Sequence, residues 1–281
     1  MAISLADIKQ NTIGPPRIVI YGVHGIGKTA LAACAPNTIF IPVEEGLGKF
    51  KLNCFPKLES YKQALETLDA LIREANPYDW VVIDGLDELE AFWQADVARR
   101  AGKPSVAEIG YSKGYDRSAE LLRDEVLKRL DILRSVGKAI ILIGHAVVEK
   151  FDDPERDAYD RYQPQLHKKA LPVIANWADA ILFLNYKVTS VDKGSSDRKR
   201  GVGSGQRVIY TTERPSFKAK NRYGLPHEIA IPDGDPCAAW QVIEGAISNC
   251  AQELASTAAP APAPQPEPAA EAAPTEAAPT A

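Results

Sequence analysis

The stretch Gly22-Val23-His24-Gly25-Ile26-Gly27-Lys28-Thr29 decides the fold that we expect for this chain. It fits the pattern of a glycine, four variable residues and then Gly-Lys-Thr, which is typical of a loop that cradles phosphate groups. Such a loop needs converging main-chain N–H groups with little Cβ bulk between them, and three glycines provide that freedom. We expect Lys28 to reach the β- and γ-phosphate oxygens and the Thr29 hydroxyl to hold Mg²⁺. The predicted nucleotide-binding residues are Gly22, Val23, His24, Gly25, Ile26, Gly27, Lys28, Thr29 and Ala30.

The residues on either side of this loop support the same prediction. Arg17-Ile18-Val19-Ile20-Tyr21 is a short apolar run of the kind found in buried strands. Ala30-Leu31-Ala32-Ala33 favours a helix over roughly residues 28–35, and the amino end of that helix points at the same anion. The order of strand, glycine-rich loop and helix is the context that the motif requires.

Composition narrows the class of protein. The 281 residues suffice for one large domain or two small ones, and the net charge of −4 confines any nucleic-acid site to a local basic patch. The four cysteines lack a Cys-x-x-Cys pair, so we expect no zinc site, no disulfide framework and a reducing compartment. With no signal-peptide pattern and no membrane-length apolar run, we expect a cytoplasmic protein without a membrane partner.

Further apolar runs alternate with helical patterns along the chain. The additional predicted strands are residues 38–43, 80–84, 139–144 and 180–184. The predicted helices between and after them are residues 61–75, 86–102, 116–136 and 170–178. This alternation predicts an α/β fold with a mainly parallel sheet covered by helices on both faces.

The pattern changes beyond residue 184. Residues 185–190 and 207–212 are expected to form a β-hairpin, joined by a flexible linker with a basic centre. A strand at 228–231 and a final helix at 236–255 follow. Residues 256–281 contain Ala, Pro, Glu, Gln and Thr after the first serine, a composition that predicts disorder. We therefore expect one domain over residues 1–255, with its core at about 15–232, and a disordered Ala/Pro-rich tail at 256–281.

Polar residues end three of the predicted parallel strands. Ligands of such sheets lie at the carboxyl ends of the strands, where Glu44, Asp84 and His145 are expected to meet the phosphate loop. Asp84 is the expected Mg²⁺ ligand beside Thr29; the alternative is that it caps the helix that follows. His145 is expected to hydrogen-bond to phosphate or ordered water, and the alternative is a packing role.

Hydrolysis also needs a group that orients water in line with the terminal phosphate. Glu44, Glu45 and Glu88 all lie near the expected site, and Glu44 is favoured. No Asn-Lys-x-Asp pattern for guanine is present in the sequence, which favours ATP.

Taken in order, the phosphate loop, Glu44, Asp84, His145 and Lys220-Asn221-Arg222 resemble the RecA-like ATPase core. The chain is most similar to compact phage-encoded AAA-type ATP-binding proteins related to single-strand annealing recombinases, over about residues 17–231. The resemblance implies the sheet order 5-1-4-3-2 for the five parallel strands, numbered along the chain. It also implies that Glu44 activates water and that His145 is a polar sensor. Lys220 and Arg222 would reach the γ-phosphate of a neighbouring protomer; the alternative is an ordinary basic strand.

The resemblance further implies an Mg²⁺-dependent ATPase that assembles into homo-oligomers or filaments on single-stranded DNA in a phage-infected or prophage-carrying cell. Its role would be phage-type recombination or replication, by annealing rather than strand exchange, with a single-strand DNA-binding protein as a further partner. We expect DNA contacts from the basic linker at 193–207 and part of 148–169, with Tyr159 or Tyr162 stacking on bases. The alternatives are a nucleotide-gated binding module with incidental turnover and a small-molecule kinase.

Overall fold

The architecture is that of a computed structural model, which describes residues 4, 12–48, 50–155, 157–191 and 200–256. The strands are β1 (Arg17–Gly22), β2 (Thr38–Pro42), β3 (Asn53–Cys54), β4 (Trp80–Asp84), β5 (Ala139–Phe151), β6 (Tyr159–Pro164), β7 (Ala180–Val191), β8 (Arg200–Tyr210), β9 (Lys220–Asn221) and β10 (Glu228–Ile231). The helices are α1 (Lys28–Ala32), α2 (Tyr61–Arg73), α3 (Leu86–Arg100), α4 (Lys113–Leu121), α5 (Lys128–Ser135), α6 (Ala170–Trp177) and α7 (Pro236–Ser256). A π-helical turn, Leu122–Leu127, joins α4 to α5.

The sheet has the strand order β10-β8-β7-β1-β5-β4-β2-β3. Its central strands β7, β1, β5, β4 and β2 are parallel to one another, so the predicted order 5-1-4-3-2 is confirmed. The register pairs Gly22 with His145, and it pairs Asp84 with both Ile143 and Pro42. The carboxyl ends of β1, β2, β4 and the sheet part of β5 therefore meet at one edge.

Both faces of the sheet are buried, as the continuous apolar runs predict. Along β1, Val19 and Tyr21 pack on the face covered by α2, α3, α5 and α6. Ile18 and Ile20 pack on the other face, which α1 and α7 cover. Because alternate side chains of a strand point to opposite faces, a run without polar residues contributes to both cores.

The carboxyl-terminal part adds antiparallel strands to the β7 edge. β8 pairs with β7, and β10 pairs with β8, which confirms the predicted hairpin. Residues 192–199, the basic centre of the predicted linker, lie outside the described residues, whereas 200–207 belong to β8. α7 includes Ser256, the first residue of the predicted tail, and residues 257–281 lie outside the described part.

The strand that carries His145 continues beyond the sheet. Residues 146–151 of β5 pair in antiparallel fashion with β6, so this polar stretch is a β-hairpin arm. Within the described residues, no helix combines the length and apolarity that crossing a bilayer requires.

The cysteine prediction is wrong in one respect. Cys34, just after α1, forms a disulfide with Cys237 in the first turn of α7, with a Cα–Cα separation of 5.1 Å. The two cysteines are 203 positions apart. Their proximity follows from the packing of α7 against α1, which spacing along the chain does not reveal.

Candidate active site

The phosphate loop links β1 to α1 at the carboxyl edge of the sheet. Gly27 has a φ of 106°, a left-handed conformation that residues with a Cβ rarely adopt. The buried Lys28 Nζ donates to the carbonyls of Gly22 at 3.1 Å and Val23 at 3.2 Å. Burial lowers the pKa of Lys28, while the charges of Glu44 and Asp84 oppose that effect. The loop thus holds an ammonium group among its own carbonyls, beside two carboxylates.

Thr29 and Asp84 form the expected metal-binding pair. The Thr29 hydroxyl donates to Asp84 Oδ2 at 2.8 Å. Asp84 Oδ1 is buried and has no hydrogen-bond partner in the described part of the chain. Burial raises the pKa of Asp84, and the Thr29 hydrogen bond and the Lys28 charge counteract it. A carboxylate oxygen without a partner beside a hydroxyl fits an Mg²⁺ ion that takes its remaining ligands from phosphates and water.

The described residues include no group of three or more His, Cys, Asp or Glu that would hold a metal by themselves.

His145 is held by Asp87, in the first turn of α3. Asp87 Oδ1 accepts the main-chain N–H of His145 at 3.1 Å, and Asp87 Oδ2 lies 3.0 Å from His145 Nδ1. Since a carboxylate only accepts, Nδ1 carries the proton. The bond to Asp87 raises the pKa of His145. Its Nε2 lies 3.8 Å from Glu44 Oε1, so Asp87, His145 and Glu44 form a continuous chain of polar contacts.

The ring of His24 stacks on His145 with their centroids 3.8 Å apart. The sequence predicts only a main-chain role for His24, whereas its side chain also contacts the site. The charge of His145 lowers the pKa of His24. The stack thereby covers one side of the His145 ring.

The three glutamates differ in their surroundings. Glu44 is partly buried in the site, and burial raises its pKa while the charge of His145 opposes the rise. The Glu45 side chain is 88% exposed and pairs with Lys57 at 3.2 Å. Glu88 is exposed on α3. Glu44 therefore has the position that suits a water-orienting group.

Gly85 permits the position of Glu44. Its φ is 111°, and a Cβ there would lie 3.2 Å from the main-chain nitrogen of Glu44 and 3.3 Å from its Cγ. A residue larger than glycine would therefore strain the main chain at position 85 and push Glu44 by a few tenths of an ångström.

Comparison with known protein families gives a match to the AAA domain over residues 14–223. The chain belongs to the AAA domain family. It therefore contains an AAA-family ATP-binding domain of the P-loop class. It is also similar to the SPbeta prophage-derived uncharacterized protein YorG of Bacillus subtilis (strain 168), with 21% identity over 180 residues. That match covers 63% of this chain and 52% of YorG, so the chain spans about half the length of this curated relative.

Lys220 and Arg222 do not join the phosphate loop of their own AAA domain. β9 pairs with Ala180 and Ile181 at the start of β7, so both side chains lie at the opposite edge of the sheet. Lys220 Nζ donates to the carbonyls of Ala175 at 2.7 Å, Asn176 at 3.3 Å and Ala178 at 2.5 Å.

These contacts place the ammonium of Lys220 on the carboxyl end of α6. Arg222 Nη1 lies 3.3 Å from Asp179 Oδ1. Both cations therefore have partners within the chain, and a role toward a neighbouring protomer stays a prediction.

Tyr159 and Tyr162, the residues expected to stack on DNA bases, contact different aromatic side chains. Tyr162 packs against the core, with its ring centroid 5.1 Å from that of Phe183. Tyr159 lies at the arm, with its ring centroid 5.6 Å from that of Phe151. Both tyrosines are partly buried, and stacking of either on DNA stays a prediction.

Sequence patterns did not predict that Asp87 and Arg207 belong to the site of the AAA domain. Asp87 lies three residues after Asp84, and no sequence pattern connects it to His145. Arg207, the last residue of the segment expected to contact DNA, instead lines the same cavity of about 410 Å³ as the phosphate loop, Glu44 and His145. No signal near position 207 indicates this, because the contact arises from the pairing of β8 with β7.

Proposed function

We propose that this AAA domain hydrolyses ATP with Mg²⁺ and that Glu44 accepts the proton of the attacking water. The observation that carries the proposal is the Thr29–Asp84 pair, with its unpartnered carboxylate oxygen at the foot of the phosphate loop. Attack of the water oxygen on the terminal phosphorus would break the bond to the bridging oxygen of ADP. Mg²⁺, held by Thr29 and Asp84, would supply charge neutralisation at the phosphate oxygens.

The other residues have distinct roles in this proposal. Lys28 binds the β- and γ-phosphates as a point charge. Asp87 fixes the tautomer and orientation of His145, whose Nε2 faces Glu44 at 3.8 Å. His145 is thus a positioning residue in this proposal: when both ring nitrogens carry protons, the imidazolium attracts the Glu44 carboxylate.

Steady-state turnover and nucleotide binding test this assignment. Lys28→Ala should abolish binding, whereas Glu44→Gln should retain ATP binding and lose at least about a hundredfold in kcat, because the base is removed without a change in shape. Glu45→Gln and Glu88→Gln are matched controls with exposed side chains, and both should turn over normally. Normal turnover of Glu44→Gln, or loss in either control, would contradict the role of Glu44.

We further propose that the protein acts on single-stranded DNA as a homo-oligomer in phage-type recombination or replication, by annealing. The resemblance to annealing-related proteins and the similarity to a prophage-derived protein support this. β5 also offers a route of coupling, because Ala146 at the base of the arm directly follows His145. Lys150 and Lys168 are exposed cations in this part of the chain, suited to phosphate contacts.

Turnover with and without oligo-dT, at low and high salt, tests the DNA proposal. We expect stimulation that weakens as salt rises, together with light-scattering masses above that of a monomer. Indifference to oligo-dT at low salt would contradict it. Persistent DNA binding by Glu44→Gln would favour a nucleotide-gated module, and ADP release that needs an added acceptor would favour a kinase.

A further inference from the structure

Arg207 reaches the nucleotide cavity from a part of the chain that is remote in sequence from the phosphate loop. Its Nη1 lies 3.0 Å from the position that a Cβ on Gly27 would occupy. The side chain lines the same cavity as His24, Lys28 and Thr29. An arginine from the antiparallel strands added to the edge of the sheet therefore lies beside the glycine of the Gly-Lys-Thr motif.

The position of Arg207 is supported by the strands around it. Its main chain pairs with Tyr186 of β7 on one side and with Ile231 of β10 on the other. Its Nη2 donates to the Pro232 carbonyl at 3.3 Å and lies 3.8 Å from Asp233 Oδ1. Because the Asp233 side chain is 95% exposed, that ion pair is solvent-screened and neutralises the guanidinium weakly.

The cavity is lined by charges of both signs. Lys28 of α1 and Arg207 of β8 contribute two cations beside the phosphate loop, and Glu44 and Glu45 contribute two carboxylates. A guanidinium presents several N–H groups in a plane and binds phosphate oxygens in a bidentate manner, which an ammonium does not do.

The position of Arg207 beside Gly27 indicates which phosphate groups the guanidinium would bind. Main-chain N–H groups of such loops cradle the α- and β-phosphates, and the lysine extends to the γ-phosphate. Arg207 lies beside Gly27, one of the residues of that cradle. We infer that Arg207 binds, in its own chain, the phosphates that ADP and ATP share. This inference rests on the proposed function.

Binding of ADP and of ATP by Arg207 variants tests the inference. Arg207→Ala should weaken both nucleotides by about tenfold, the effect of one charge-assisted contact, and should raise KM while kcat at saturating ATP stays within about twofold. Arg207→Gln keeps much of the side-chain length without the charge and should weaken both nucleotides to a similar extent. Arg214→Ala removes an exposed arginine four residues beyond the end of β8 and is the matched control.

Each result has a clear meaning. If both Arg207 variants keep normal affinity for ADP and ATP while Lys28→Ala loses it, the inference is wrong and the proposed function stands. A loss of kcat with normal ADP affinity would place Arg207 at the γ-phosphate and also overturn the inference. If the unaltered protein binds neither nucleotide with Mg²⁺ present, the proposed function fails. Thermal melting of each variant shows that the fold is retained.

Discussion

Asp87 holds both the main chain and the imidazole of His145, with Oδ1 3.1 Å from the main-chain nitrogen and Oδ2 3.0 Å from Nδ1. One carboxylate thereby joins the start of α3 to the point where β5 leaves the sheet. His145 Nε2 faces Glu44 at 3.8 Å, so in the proposed mechanism Asp87 acts on the base only through the imidazole.

Asp87→Asn should lower kcat by about ten- to a hundredfold, as loss of a partner that orients an imidazole commonly does. Asparagine replaces one carboxylate oxygen with an NH2 group, which can only donate, so either the contact to the main-chain nitrogen of His145 or the contact to Nδ1 is lost. KM for ATP should change little, since the Asp87 carboxylate bonds to His145 rather than to the phosphate loop. Glu88→Gln, on the same turn of α3, is the control, and unchanged turnover in Asp87→Asn would refute the positioning role.

Gly85→Ala should reduce kcat through Glu44. The new Cβ would lie 3.2 Å from the Glu44 nitrogen at a φ of 111°, so the chain must shift there. Gly137→Ala is a matched control, because Gly137 has a φ of 94° and a Cβ there would meet no described atom within 4 Å. Both variants should lose about 1–3 kcal/mol of unfolding free energy, and Gly85→Ala alone should lose turnover. Equal kcat values for the two variants would show that the Glu44 position does not depend on Gly85.

Lys220→Met should destabilise the fold by about 1–3 kcal/mol, because three carbonyls at the end of α6 lose a charged donor. Urea unfolding measures this, with Lys218→Met as control. Lys220→Met also tests whether Lys220 acts on the γ-phosphate of a neighbouring protomer. A fall in kcat per folded molecule would support that role. Unchanged unfolding free energy would show that the contacts to α6 contribute little.

Glu90 should make the stability of this domain depend on pH. It is buried on α3, its Oε2 accepts the His167 N–H at 2.8 Å, and burial raises its pKa to about 7 from an ordinary 4.5. Below about pH 4.5 the carboxyl is neutral in both states. As pH rises toward 7 the unfolded chain loses the proton first, so the folded state loses stability over that interval.

Glu90→Gln keeps an acceptor for the His167 N–H and does not titrate. Between pH 5 and pH 8 the unaltered protein should therefore lose up to about 3 kcal/mol more unfolding free energy than this variant. Urea titrations at both pH values measure the difference, and Glu88→Gln should behave like the unaltered protein. Parallel losses in all three proteins would refute a raised pKa at Glu90.

The Cys34–Cys237 disulfide should stabilise the oxidised protein. It closes a loop across 203 positions, for which chain entropy gives at most about 5 kcal/mol. Addition of a reductant should lower the melting temperature of the unaltered protein. The double variant Cys34→Ser and Cys237→Ser should melt at one temperature with or without it, and insensitivity of both proteins would show that the bond does not form in solution.

The sequence determined the phosphate loop, the five parallel strands and the meeting of Glu44, Asp84 and His145 at one sheet edge. The loop is a motif of consecutive residues, and each buried parallel strand is a local apolar run. A family resemblance supplied the strand order, and the carboxyl-end rule then placed the three polar residues together.

The tertiary structure decided which partner each polar side chain has. Asp87 with His145, Lys220 with the end of α6, Arg207 with Gly27 and Cys34 with Cys237 are all contacts between distant segments. The Arg207 contact depends on strand register: a shift of one residue between β8 and β7 would turn Arg207 to the opposite face of the sheet. The spacing of residues along the chain does not predict that register or the packing of the helices, so only the tertiary structure shows these contacts.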